Sequence, residues 1–74
     1  MTQKQALAKL RKLAGKHDFF SVDKCMYGDK RITYTMYVNI GVGEGVMAYQ
    51  MESMEACLID IEKQLKERNE LPNT

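Results

Sequence analysis

The residues able to do chemistry in this 74-residue chain are few and scattered. His17 and Asp18 are adjacent, which on paper is an acid–base pair. Consecutive side chains of an extended segment point apart, and no nucleophile is specified beside them. Cys25 sits in an extended stretch without an evident activating neighbour, and Cys57 falls on the apolar stripe of a helix, where a small core residue is needed. Two cysteines are too few for a disulfide framework, and one histidine is too few for a His-rich metal cluster. Structural zinc usually takes four ligands. Gly41, Gly43 and Gly45 spell GxGxG, but a phosphate cradle needs a helix N-terminus after the glycines, and a short strand follows here. The chain therefore offers no catalytic residues, no metal site and no cofactor site, and an enzyme ranks below a binding protein.

Arg31–Ile40 is the strand around which a fold can be built. Ile32, Tyr34, Met36, Val38 and Ile40 alternate with Arg31, Thr33, Thr35, Tyr37 and Asn39, giving one apolar and one mostly polar face. Upstream, Thr2–Ala14 reads as an amphipathic helix. Thr2 and Gln5 are spaced as a capping box, Ala6, Leu7, Leu10, Leu13 and Ala14 form a stripe, and Gly15 ends it. His17–Tyr27 reads as a strand, with Phe20, Val22 and Met26 facing the core and Lys24 snorkelling among them. A three-residue loop, Gly28-Asp29-Lys30, pairs Met26 with Ile32, Val22 with Met36 and Phe20 with Val38; a two-residue loop would break this apolar matching.

Gly41–Gly45 is expected to be a loose connection to a third strand, Val46–Met51. Its more apolar set, Met47, Tyr49 and Met51, is placed inward, which leaves Val46 and Ala48 outside. Ser53 caps a second helix, Met54–Arg68, with the stripe Met54, Cys57, Leu58, Ile61 and Leu65. Asn69 is a candidate stop, and Leu71–Thr74 reads as a flexible tail. The expectation is one small α+β domain over residues 1–74. Its order is α-β-β-β-α, with a three-stranded antiparallel sheet carrying two helices on one face as a two-layer sandwich.

Composition bounds the partners. With 45% hydrophobic and 28% charged residues the chain is an ordinary globular one, and no apolar run approaches the ~20 residues of a membrane span. No signal-peptide core stands at the N-terminus, so no membrane partner and a cytoplasmic setting are expected. Net charge is +1, unevenly spread: residues 1–31 carry eight basic against three acidic side chains, and residues 32–74 carry three against seven. That asymmetry suits either a polar partner or attraction between the two halves. Six methionines serve as core filler or as an adaptable binding surface.

The element order is similar to that of the double-stranded RNA-binding domain, a resemblance of topology over nearly the whole chain. It implies duplex contacts from the first helix and the first hairpin: Lys4, Lys9, Arg11, Lys12, Lys30 and Arg31. The start of the second helix departs from that family, because Glu52-Ser53-Met54-Glu55 is acidic where lysines would meet phosphate. The family is not assigned.

Two functions follow as expectations. The first is a small non-enzymatic interaction module, a regulator, inhibitor or accessory protein of the kind phages and mobile elements use. It would bind a protein partner or a second copy of itself. Its candidate contacts are Phe19, Tyr27 and Tyr37 on the uncovered sheet face, and Ile59, which lies off the helix stripe. The second is a nucleic-acid-binding domain that uses the basic first helix.

Overall fold

The computed structural model describes residues 1–72. Its elements run α1 (Gln3–Ala14), β1 (Phe20–Met26), β2 (Ile32–Gly41), β3 (Glu44–Met51) and α2 (Met54–Glu67). The strands form one antiparallel sheet in the order β1-β2-β3, and both helices pack on the same face of it. The α-β-β-β-α two-layer architecture legible in the sequence is the architecture of the protein.

Both helix starts are fixed by side chains. The Thr2 hydroxyl accepts from the Gln5 backbone N–H at 3.1 Å while the Gln5 side-chain Oε1 accepts from the Thr2 backbone N–H at 2.8 Å, a complete capping box. The Ser53 hydroxyl accepts from the Ala56 N–H at 3.0 Å. Gly15 closes α1 with φ 62°, a backbone region that glycine adopts without steric penalty. These caps satisfy amides that would otherwise face water or the core unpaired.

The core is the seam between the helices and the sheet. Leu10, Met36, Val38, Cys57, Ile61 and Leu65 are fully buried, with Leu13, Tyr34 and Leu58 packed around them. Leu7, expected on the α1 stripe, is exposed at its margin. Met26 is exposed and so is Lys24, because the far half of β1 runs beyond the cover of α1. The β1–β2 register is the one apolar pairing requires: Met26 opposite Ile32, Lys24 opposite Tyr34, Val22 opposite Met36 and Phe20 opposite Val38. Lys30 ends the three-residue loop with φ 69°.

The second hairpin corrects the expectation. Its turn is two residues, Val42 and Gly43, between the paired Gly41 and Glu44, rather than the five-residue loop Gly41–Gly45. Gly43 has φ 72°. One extra residue in β2, Ile40, lies between the Gly41–Glu44 and Asn39–Gly45 pairs and shifts the register, so that Val38 meets Val46 and Met36 meets Ala48; Val46 and Ala48 are buried while Met47 and Tyr49 turn outward. A bulge at Gln50, with φ 50°, adds one residue to β3 and returns Met51 to the core side. The Gln50 N–H donates to the Thr35 hydroxyl at 3.0 Å, which holds the bulge.

The C-terminal ends of the two helices come together. Pro72 lies on Gly15, and His17 Nε2 is 3.0 Å from Glu70 Oε2. Leu71 is half-buried against the core. Leu71 and Pro72 therefore belong to the packed body rather than to a tail, and Asn73 and Thr74 lie outside the described residues. The helices thus run side by side in the same direction.

Candidate functional site

The face of the sheet turned away from the helices is built by side-chain alternation. β2 contributes Thr33, Thr35, Tyr37 and Asn39, β1 contributes Ser21, Asp23 and Cys25, and β3 contributes Gly45, Met47 and Tyr49. Within the strands, Asp23 is the one charged side chain on this face. No described element covers it.

Phe19, just before β1, extends the face. Its carbonyl accepts from the Asn39 N–H at 2.9 Å, which fixes its backbone beside β2. Its ring meets Tyr37 edge-on, with centroids 6.2 Å apart and planes at 79°. Tyr37 in turn lies across Gly45, where a Cβ would collide with the ring. On this face Met47 is 47% exposed, Phe19 63% and Tyr49 67%. Four large apolar or aromatic side chains from all three strand lines thus share one charge-poor surface. Thr33 forms part of the same face; its hydroxyl is buried and has no partner among the described residues.

The remaining candidate residues stand elsewhere. Tyr27 is half-buried at the hairpin end, where the Arg31 guanidinium sits 4.6 Å from its ring centroid. Ile59 is 71% exposed on the opposite side of the domain, in α2. The basic residues are divided. With successive helix residues about 100° apart, Lys4 and Arg11 project from one flank of α1 and Lys9 and Lys12 from the other. Lys9 and Lys12 line a groove beside Glu55 and Glu62 of α2. Lys30 and Arg31 lie in the β1–β2 turn. These six cations do not form one stripe.

Met47 and Tyr49 are the face residues that sequence reasoning placed on the wrong side. A two-residue turn with unbroken register would set Val38 against Met47; the extra residue Ile40 in β2 is what turns Met47 and Tyr49 outward, and alternation alone does not reveal it.

His17 bonds Glu70 rather than Asp18. Cys57 is buried with its thiol donating to the Tyr34 carbonyl at 3.4 Å, and burial pushes the thiol pKa up, with the nearby Asp60 carboxylate adding to the effect. Cys25 is exposed, and both cysteines are free. Among the described residues, no group of three or more His, Cys, Asp or Glu side chains could hold a metal ion, and no helix is long and apolar enough to cross a membrane. Neither a protein-family model, nor a curated protein, nor a solved structure matches this chain.

Proposed function

We propose that this protein is a small interaction module that docks a protein partner through the open face of its sheet. The observation that supports this most is compositional. A face spanning three strands carries one charge, in a chain whose residues are 28% charged, and it presents Phe19, Tyr37, Met47 and Tyr49. Protein–protein interface cores are depleted in charge and enriched in aromatic residues and Met. The Phe19–Tyr37 pair and the Tyr37–Gly45 contact hold the centre of the face in one arrangement, so less side-chain freedom is lost on docking.

Duplex binding has weaker support. Phosphate recognition draws on several cations converging on one track. Here Lys9 and Lys12 share their groove with Glu55 and Glu62, and Arg31 is engaged with Tyr27.

Affinity capture from the source cell tests the reading. Wild-type protein, a Met47→Lys variant and a Lys9→Ala/Lys12→Ala variant are compared with and without nuclease. Nuclease-resistant capture that Met47→Lys abolishes and the lysine variant retains is expected. Nuclease-sensitive capture lost with the two lysines would reverse the assignment.

A further inference from the structure

The second uncovered surface is the groove between α1 and α2, about 450 Å³ and open along one side. Its floor is apolar: Leu13 from α1 and Leu58 from α2 are half-buried there, and Ile59 beside them is 71% exposed. Its two walls carry opposite charge. Lys9 and Lys12 rise on the α1 side, and Glu55 and Glu62 on the α2 side. The one ion pair among the described residues is His17–Glu70, so neither wall is neutralised by close contact across the groove.

An apolar floor between a basic and an acidic wall is self-complementary under one particular symmetry. Two copies can be laid groove to groove with a two-fold axis either along the helices or across them. The axis across the helices sets lysine wall on lysine wall. The axis along the helices sets each α1 on the partner's α2, so lysines oppose glutamates twice and the two Ile59 side chains enter the shared apolar floor. Because α1 and α2 run in the same direction, this second arrangement keeps all four helices aligned. We infer that the protein self-associates through this groove as a symmetric dimer, α1 against the partner's α2, leaving both open sheet faces outward.

The dimer is expected to be weak, since a groove this small buries less area than a permanent interface, and salt should weaken it further. The proposal is independent of what docks on the sheet.

Charge-swap complementation with mass measurement by sedimentation tests it. Four forms of the protein suffice: wild type, Ile59→Asp, the variant Lys9→Glu/Lys12→Glu, and the variant Glu55→Lys/Glu62→Lys. All the altered side chains are exposed, and thermal melts confirm that each variant folds. Wild type at rising concentration should approach twice the 8.5 kDa chain mass. Ile59→Asp and each swapped variant alone should lose association by about tenfold or more, because buried apolar area is lost or like charges face each other. Mixing the two swapped variants should restore the doubled mass, since every facing pair is then again of opposite sign. A wild-type monomer at all concentrations would overturn the proposal and leave the groove to another occupant. So would a mixture that stays monomeric, or a dimer indifferent to Ile59→Asp.

Discussion

The Tyr37 ring occupies the space that a side chain at Gly45 would need. The two residues are on neighbouring strands, two pairs apart in register and on the same face, since Tyr37 is opposite Met47, Val38 opposite Val46 and Asn39 opposite Gly45. A glycine inside a strand is normally a weakness, because it packs nothing. Here the ring covers it, and Phe19 braces the ring from the other side.

Gly45→Ala should therefore swing Tyr37 off the sheet and break the Phe19 contact. Gly45 does not have a positive φ, so the effect is steric rather than conformational. A loss of about 0.5–1.5 kcal/mol is expected from the aromatic pair. Denaturant unfolding together with the ring-proton shifts of Phe19 checks this, and a variant with wild-type stability and unmoved Phe19 resonances would contradict it.

Lys30 is a non-glycine residue at φ 69°, a conformation that disfavours a side chain. Lys30→Gly should raise stability by up to about 1 kcal/mol, the relief of strain being offset in part by the greater freedom of glycine in the unfolded chain. A higher urea midpoint with an unchanged slope is the expected readout. A lower midpoint would mean that the loop is held in some other way.

How much of this was legible differs between the two hairpins. In the first, the apolar residues of both strands outweigh their polar neighbours, and matching them leaves only the loop Gly28-Asp29-Lys30. In the second, Met47, Tyr49 and Met51 read as the more apolar set, and the extra residue Ile40 in β2 reverses the faces of Met47 and Tyr49. Ala48 is buried because a small side chain suits the floor beneath α2, a property of packing that alternation does not carry. The bulge that recovers Met51 depends on Gln50, a residue type that does not announce a positive φ. The caps at Thr2 and Ser53 are local and were readable. The His17–Glu70 contact joins positions 53 apart in sequence and was not.

The two thiols should behave oppositely. Cys25 is exposed and should react with a thiol reagent in the native protein, while Cys57 should react only after unfolding. The raised pKa of Cys57 also has a sign in stability. Below the ordinary thiol value of 9.0 the group is protonated in both states and contributes nothing to pH dependence. Above it, the unfolded chain releases the proton and the folded one retains it, so stability falls as pH rises past 9.0. Cys57→Ala should flatten that alkaline decline. Two rapidly reacting thiols in native protein would contradict the burial of Cys57.

Ile61 is fully buried between α2 and the sheet, whereas Leu58 is half-buried at the groove. Ile61→Ala should cost about 2–5 kcal/mol, enough to unfold much of so small a domain, and Leu58→Ala distinctly less. Equal losses from the two, measured by thermal or denaturant unfolding, would contradict the placement of Leu58 at the margin.

The docking role of the open sheet face is tested most directly by the affinity of the captured partner for Tyr49→Ala. Tyr49 is 67% exposed and contributes nothing to the core, so the domain should melt as wild type does. The account predicts at least about a tenfold loss of affinity, the size of a moderate interface anchor at 1.4 kcal/mol or more. Partner binding unchanged in Tyr49→Ala and in Phe19→Ala would contradict it.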